Sequence, residues 1–147
     1  AQGKAMVAAT ACLFCHRFNN DGAGIGPDIT GAGNRYSVKD LLENIIEPSK
    51  VISDQYGTEQ LEMADGELII GRIVAEDANR YSVMTNPFAP DELARPEIAK
   101  VRARKPYAMS MMPPGLINAL NPEELKDLVA YLLSGGNPQD PMFGKAK

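Results

Sequence analysis

Cys12-Leu13-Phe14-Cys15-His16 constrains this chain more than any other stretch. Cys-x-x-Cys-His is the pattern by which haem is fixed covalently to protein. Two thiols can form thioethers with the two haem vinyl groups, and the two-residue gap sets their separation. The histidine directly after the second cysteine is then held under the iron, where it can supply the proximal nitrogen. The 147-residue sequence contains two cysteines and one histidine, and all three fall in this motif.

Other uses of these residues fit less well. A disulfide between Cys12 and Cys15 would close a very short loop and constrain little of the unfolded chain. A thioredoxin-like pair would follow a strand in a βαβ pattern, and this one does not. A structural zinc site wants four Cys/His ligands, and the chain offers three. One haem c, attached through Cys12 and Cys15, uses every part of the motif.

A chain of 147 residues makes one domain, or one domain with a sizeable insertion. No apolar run reaches the length of about eighteen residues that a membrane-spanning helix needs. A net charge of -4 argues against nucleic acid as a general partner. Covalent haem attachment goes with export. A periplasmic or otherwise exported location is therefore expected, with a leader or a larger parent protein removed.

Residues 3–14 read as a helix running into the motif, with Met6, Val7, Thr10 and Leu13 at helical spacing. A loop from Asn19 to Asn34 follows, with glycines at 22, 24, 26, 31 and 33. Glycine-rich backbone can pass close to something flat, and a haem face qualifies as well as a plain surface loop does. Ser37 can cap a helix through about Glu47, with Asp40 as its partner and Pro48 as its stop. Asn121-Pro122-Glu123-Glu124 starts a last helix that Gly135-Gly136 ends.

Between these flanks the character changes. Gln60–Met63, Leu68–Val74, Tyr81–Thr85 and Ile98–Arg102 favour strands, and Asp65-Gly66 gives a two-residue hairpin signal. The expectation is a mainly α fold, with helices packed around one covalent haem and a small antiparallel meander inserted, α+β overall. The helical core would cover about 1–55 and 106–136, the β insertion about 56–105, and a loosely held tail 137–147.

With one histidine in the chain, the sixth iron position has to be filled by something else. Three thioethers cluster in Met109-Ser110-Met111-Met112-Pro113-Pro114. Two prolines stiffen that loop, and a stiff loop can keep a weak ligand on iron through a redox cycle. Met112 is favoured, then Met111, then Met109, with Lys105 and Tyr107 as less suitable substitutes; methionines used simply as core filling are the alternative.

These features together resemble a class I cytochrome c. The likeness runs through Gly3-Lys4, the haem motif, Gly26-Pro27-Asp28-Ile29, Met112-Pro113 and Leu128-Val129-Ala130-Tyr131-Leu132. More closely, the chain resembles the Pirellula/Verrucomicrobium-type haem-binding domain of planctomycetes and their relatives. That likeness rests on the order of Gly26-Pro27-Asp28-Ile29, Ile45-Ile46-Glu47-Pro48-Ser49 and Ser110-Met111-Met112-Pro113. It implies that Cys12 and Cys15 hold haem and that His16 and Met112 bind iron. It also implies that the Pro27 carbonyl accepts the Nδ1 hydrogen of His16, that Ile29 packs on the haem edge, and that Arg35 reaches a propionate. Val7 stands where the family usually has an aromatic, and one extra residue precedes Cys12.

The function this implies is electron transfer by a non-enzymatic carrier, between an exported dehydrogenase and a cytochrome or oxidase. In that family the domain is often fused to a dehydrogenase-like module, so the chain is expected to be a piece of a larger protein. A second reading has the methionine dissociate and the iron bind a gas, with ligand switching among the methionines; the lack of a second histidine argues against a peroxidase. A third reading gives the β insertion a docking or homodimer role. In it Lys100, Arg102, Arg104 and Lys105 form a basic strip, or an exposed edge strand pairs with another chain.

Overall fold

Gly3 lets the two ends of the chain meet. A Cβ at this position would lie 2.4 Å from both the Asp127 carbonyl oxygen and the Tyr131 Cβ, so helix α1 (Gln2–Ala9) can cross helix α5 (Pro122–Leu133) only where it has no side chain. The computed structural model describes residues 2–143. Its residues group into two compact units, one running up to Pro48 and resuming at Pro114, the other Ser49–Pro113.

In the first unit, α1 is followed by the single helical turn α2 (Cys12–Cys15) and a short strand pair, β1 (Arg17–Phe18) and β2 (Asp21–Gly22). The turn α3 (Ala32–Arg35) and helix α4 (Val38–Ile46) come next, and α5 completes the unit. The uninterrupted helix expected over 3–14 breaks at Thr10-Ala11, where Ala11 takes a left-handed φ of 59°. Local capping follows the sequence closely. The Ser37 Oγ accepts the Asp40 amide at 3.2 Å. Asn121 Oδ1 accepts the Glu123 and Glu124 amides at 3.0 Å each, and Glu124 returns a carboxylate to the Asn121 amide at 2.9 Å. Gly135 and Gly136, both at positive φ, end α5.

Val7, Phe18, Ala32, Leu41, Ile117, Leu128, Val129 and Leu132 form this unit's core. Cys12, Leu13, Ile29, Leu42 and Ile45 pack against it while staying only half-buried. Phe18 and Tyr131 meet with ring centroids 5.2 Å apart.

The second unit is a five-stranded antiparallel sheet of β3 (Thr58–Met63), β4 (Leu68–Glu76), β5 (Tyr81–Met84), β6 (Leu93–Ala94) and β7 (Val101–Tyr107), in the order β6-β5-β4-β3-β7. The first four strands form a meander. The fifth departs from the expected pattern, for it returns to the far edge and pairs with β3 from Thr58↔Tyr107 to Met63↔Val101. Ile98–Lys100, read as strand, is a 3-10 turn, and the strand runs on to Tyr107 instead. The β3–β4 loop is not the two-residue type either. Gly66 at φ 89° follows a turn in which its amide meets the Met63 carbonyl at 3.0 Å, and the Met63 amide meets the Glu67 carbonyl at 2.8 Å. That is a three-residue loop with a left-handed glycine.

Leu61, Met63 and Val83 are the buried centre of this sheet, with Ile69, Ile73, Tyr81, Ala94 and Val101 packed on them. Three residues of the basic strip are already engaged: Lys100 with Glu97 at 3.2 Å, Arg102 with Glu62 at 3.9 Å, and Arg104 with both carboxylate oxygens of Glu59. Arg104 also lies over the Tyr81 ring. Pro106 and these charges blunt the β7 edge against strand addition.

The expectation of a mainly helical chain is overturned. Helices hold 32% of the structure and strands 24%, with a five-stranded sheet among them. The physical reason is that the backbone groups of the middle third are satisfied across strands, while the helical flanks break into short pieces at Ala11, His16 and Tyr36. Of the tail read as loosely held, residues 144–147 lie outside the described residues, while Pro141–Phe143 form a 3-10 turn.

Candidate haem site

One turn of helix brings Cys12 and Cys15 to the same side, three residues apart. The His16 amide closes that turn on the Cys12 carbonyl at 2.9 Å. With φ -102° and ψ 146°, His16 then leads the chain out of the helix. Among the described residues neither cysteine forms a disulfide, and both are half-buried. Burial pushes the Cys12 thiol up from its ordinary pKa, partly offset by a hydrogen bond to Thr10. Burial also pushes Cys15 up, with Cys12 adding to it.

The His16 Nδ1 lies 2.7 Å from the Pro27 carbonyl oxygen. A carbonyl can only accept, so Nδ1 carries the hydrogen and Nε2 keeps a free lone pair, the form a metal needs. The bond also sets the ring's orientation and raises its basicity. Three backbone hydrogen bonds zip the following loop onto the motif: Ala23 to Leu13 at 3.1 Å, Gly26 to Cys15 at 2.7 Å, and Ile29 to Arg17 at 2.9 Å. A Cβ on Gly26 would come 2.9 Å from the imidazole Cε1. The flat object that this glycine's backbone approaches is therefore the histidine ring itself.

Further latches hold Pro27 in place, and sequence reasoning did not find them. Asp28 Oδ1 accepts the Thr30 amide at 2.8 Å, and Thr30 Oγ1 accepts the Asn19 amide at 2.7 Å. Asn19 in turn donates its side-chain amide to the Gly135 carbonyl at 3.2 Å, just past α5. Asp28-Ile29-Thr30 is a recognisable side-chain-to-backbone turn signature, and it could have been read from the sequence. Hydrogen bonds from Thr30 hold the Asp28 carboxyl below the usual range.

The structure thus brings Cys12, Cys15, His16 and Pro27 together, with Ile29 at the margin of the same core. Arg35 donates to the Asp28 carbonyl at 2.7 Å and so braces the Pro27 loop. Met109, Met111 and Met112 belong to the other compact unit. Among the described residues, no group of three or more His, Cys, Asp or Glu side chains converges as a structural metal site would require.

Compared with known protein families, residues 1–101 match cytochrome c. The chain belongs to the cytochrome c family. No curated protein matches it. The cytochrome carries a covalently attached haem c and is an electron-transfer protein. The matched span contains Cys12, Cys15, His16 and Pro27 and ends before Met109. The residues present fit the group: two thiols on one helical turn, an imidazole with Nε2 left free, and half-covered apolar side chains at the core margin. In this cytochrome Cys12 and Cys15 would tether haem, and His16 Nε2 would bind its iron.

Proposed function

We propose that this cytochrome relays single electrons through haem ligated by His16 and Met112, between an exported dehydrogenase and a downstream cytochrome or oxidase. Haem supplies the Fe(III)/Fe(II) couple. His16, fixed by Pro27, contributes a strong and well-oriented donor. A thioether favours Fe(II) and so raises the potential.

The observation that carries Met112 is the bracing of its loop. The Met112 amide donates to Ser110 Oγ at 3.1 Å, and the Ser110 amide donates to Ser49 Oγ at 3.0 Å. Pro113 and Pro114 then restrict the backbone that follows. The Ser49–Ser110 bond also joins two of the motifs by which the chain resembles the Pirellula/Verrucomicrobium-type domain, and it supports that finer assignment. Met109, at 58% exposure, suits a ligand less well.

The test is the far-red absorption of the oxidised protein beside its Met112→Ala variant. A weak thioether-to-Fe(III) band in the native protein, lost in Met112→Ala and kept in Met109→Ala, is the expected result. If the native protein lacks the band and its reduced form binds carbon monoxide readily, the sixth position is open, and gas binding replaces electron relay as the better reading.

A further inference from the structure

Thr10 stands between α1 and the haem cysteines and is only 4% exposed. A buried hydroxyl needs partners, and this one has two. Its Oγ1 lies 2.7 Å from the Met6 carbonyl oxygen and 3.2 Å from the Cys12 sulfur. The carbonyl only accepts, so the hydroxyl hydrogen goes to Met6 and the Cys12 thiol hydrogen goes to the hydroxyl oxygen. The Met6 carbonyl also receives the Thr10 amide at 2.9 Å. The hydroxyl can therefore rotate toward sulfur without leaving that carbonyl unpaired.

This contact cannot form on an unbroken helix, where positions two apart point to different sides. The left-handed Ala11, at φ 59° and ψ 16°, interrupts the helix between Thr10 and Cys12. The same hydroxyl is thereby tied at once to the last turn of α1 and to the first haem cysteine.

We propose that Thr10 is a positioning residue for haem attachment, holding the Cys12 sulfur in one rotamer for thioether formation. In that step the Cys12 sulfur bonds to the vinyl carbon next to the porphyrin ring. The vinyl π bond breaks, and the thiol hydrogen ends on the terminal vinyl carbon. This is an addition, with no net gain or loss of electrons. As the hydrogen leaves, the Thr10 hydroxyl turns from Met6 to the sulfur, which keeps a hydrogen-bond partner throughout. The inference rests on covalent attachment alone and is independent of the sixth ligand.

The test is to mix the reduced apoprotein with ferrous haem and stop the reaction at intervals. Remaining thiols are alkylated and located at Cys12 or Cys15 by fragmentation mass spectrometry. Thr10→Val is nearly isosteric and suits the buried site, and Thr10→Ser keeps the hydroxyl. In Thr10→Val, bond formation at Cys12 should slow about tenfold, the factor that losing one ordinary hydrogen bond gives. The Cys15 bond should form at the native rate, so that a one-thioether species accumulates with the absorption spectrum of Cys12→Ala. Thr10→Ser should behave as the native chain. Native rates at both cysteines in Thr10→Val would overturn the proposal. So would equal slowing at both cysteines, which would make Thr10 a support of the fold, or a Thr10→Ser variant as slow as Thr10→Val.

Discussion

At the scale of single residues, the imidazole of His16 is held from two directions. Pro27 takes its Nδ1 hydrogen, and Gly26 leaves room for the ring. Gly26→Ala would set a methyl 2.9 Å from Cε1 and 3.0 Å from Nδ1. Since neither the ring nor the loop is a flexible end, the ring must turn. The cost in stability should be about 1–3 kcal/mol, the usual range for forced overpacking. The reduction potential should also rise, because an imidazole without its Pro27 partner is a weaker donor and stabilises Fe(III) less. Gly24→Ala is the control, for a Cβ there meets nothing within 4 Å. Potentiometry and thermal melts of the two variants, side by side, check both expectations.

At the scale of elements, the helix pair α1–α5 depends on a close approach that capping does not provide. Gly3→Ala puts a Cβ against a backbone oxygen and a Cβ of α5, both at 2.4 Å. Neither partner can swing aside, so α1 must shift as a whole, and the cost should reach at least the about 1–3 kcal/mol of ordinary overpacking. Hydrogen exchange would show it as lost protection in α1 and along the facing side of α5, with β3–β7 unchanged. The caps at Ser37 and Asn121 were legible because each joins groups three residues apart. The crossing at Gly3 was not, since its partners lie at Asp127 and Tyr131. The same holds for β7, whose neighbour could not be chosen without knowing which edge of the meander its side chains would cover.

For the whole molecule, acid is a simple probe. Hydrogen bonds from Thr30 hold the Asp28 carboxyl low in the first unit, and the Asn79 and Arg80 amides do the same for Asp77 in the second. A carboxyl whose pKa is depressed by folding contributes stability that is complete above its unfolded value and is lost as pH falls through the folded one. Both turns should therefore hold through neutral pH and loosen only below the ordinary carboxylate value of about 3.9. Amide exchange at Thr30 and Asn79 across that range checks this. In Asp28→Asn the Thr30 amide should lose its dependence on acid, while Asn79 keeps it.

What the sequence determined by itself is the chemistry that lies within a few residues: the Cys12-Cys15-His16 attachment motif, the helix caps, and the strand-forming middle third. These are local because thioether spacing, capping bonds and side-chain alternation all act across two to four residues. The tertiary structure alone decided that Gly26 packs on the imidazole, that Asn19 ties the Thr30 turn to the Gly135 carbonyl, and that β7 pairs with β3. It also made the chain a mixed α and β protein rather than a mainly helical one. Each of these outcomes turns on groups brought together from distant positions or on a backbone angle such as that of Ala11, where packing overrides the local preference for helix.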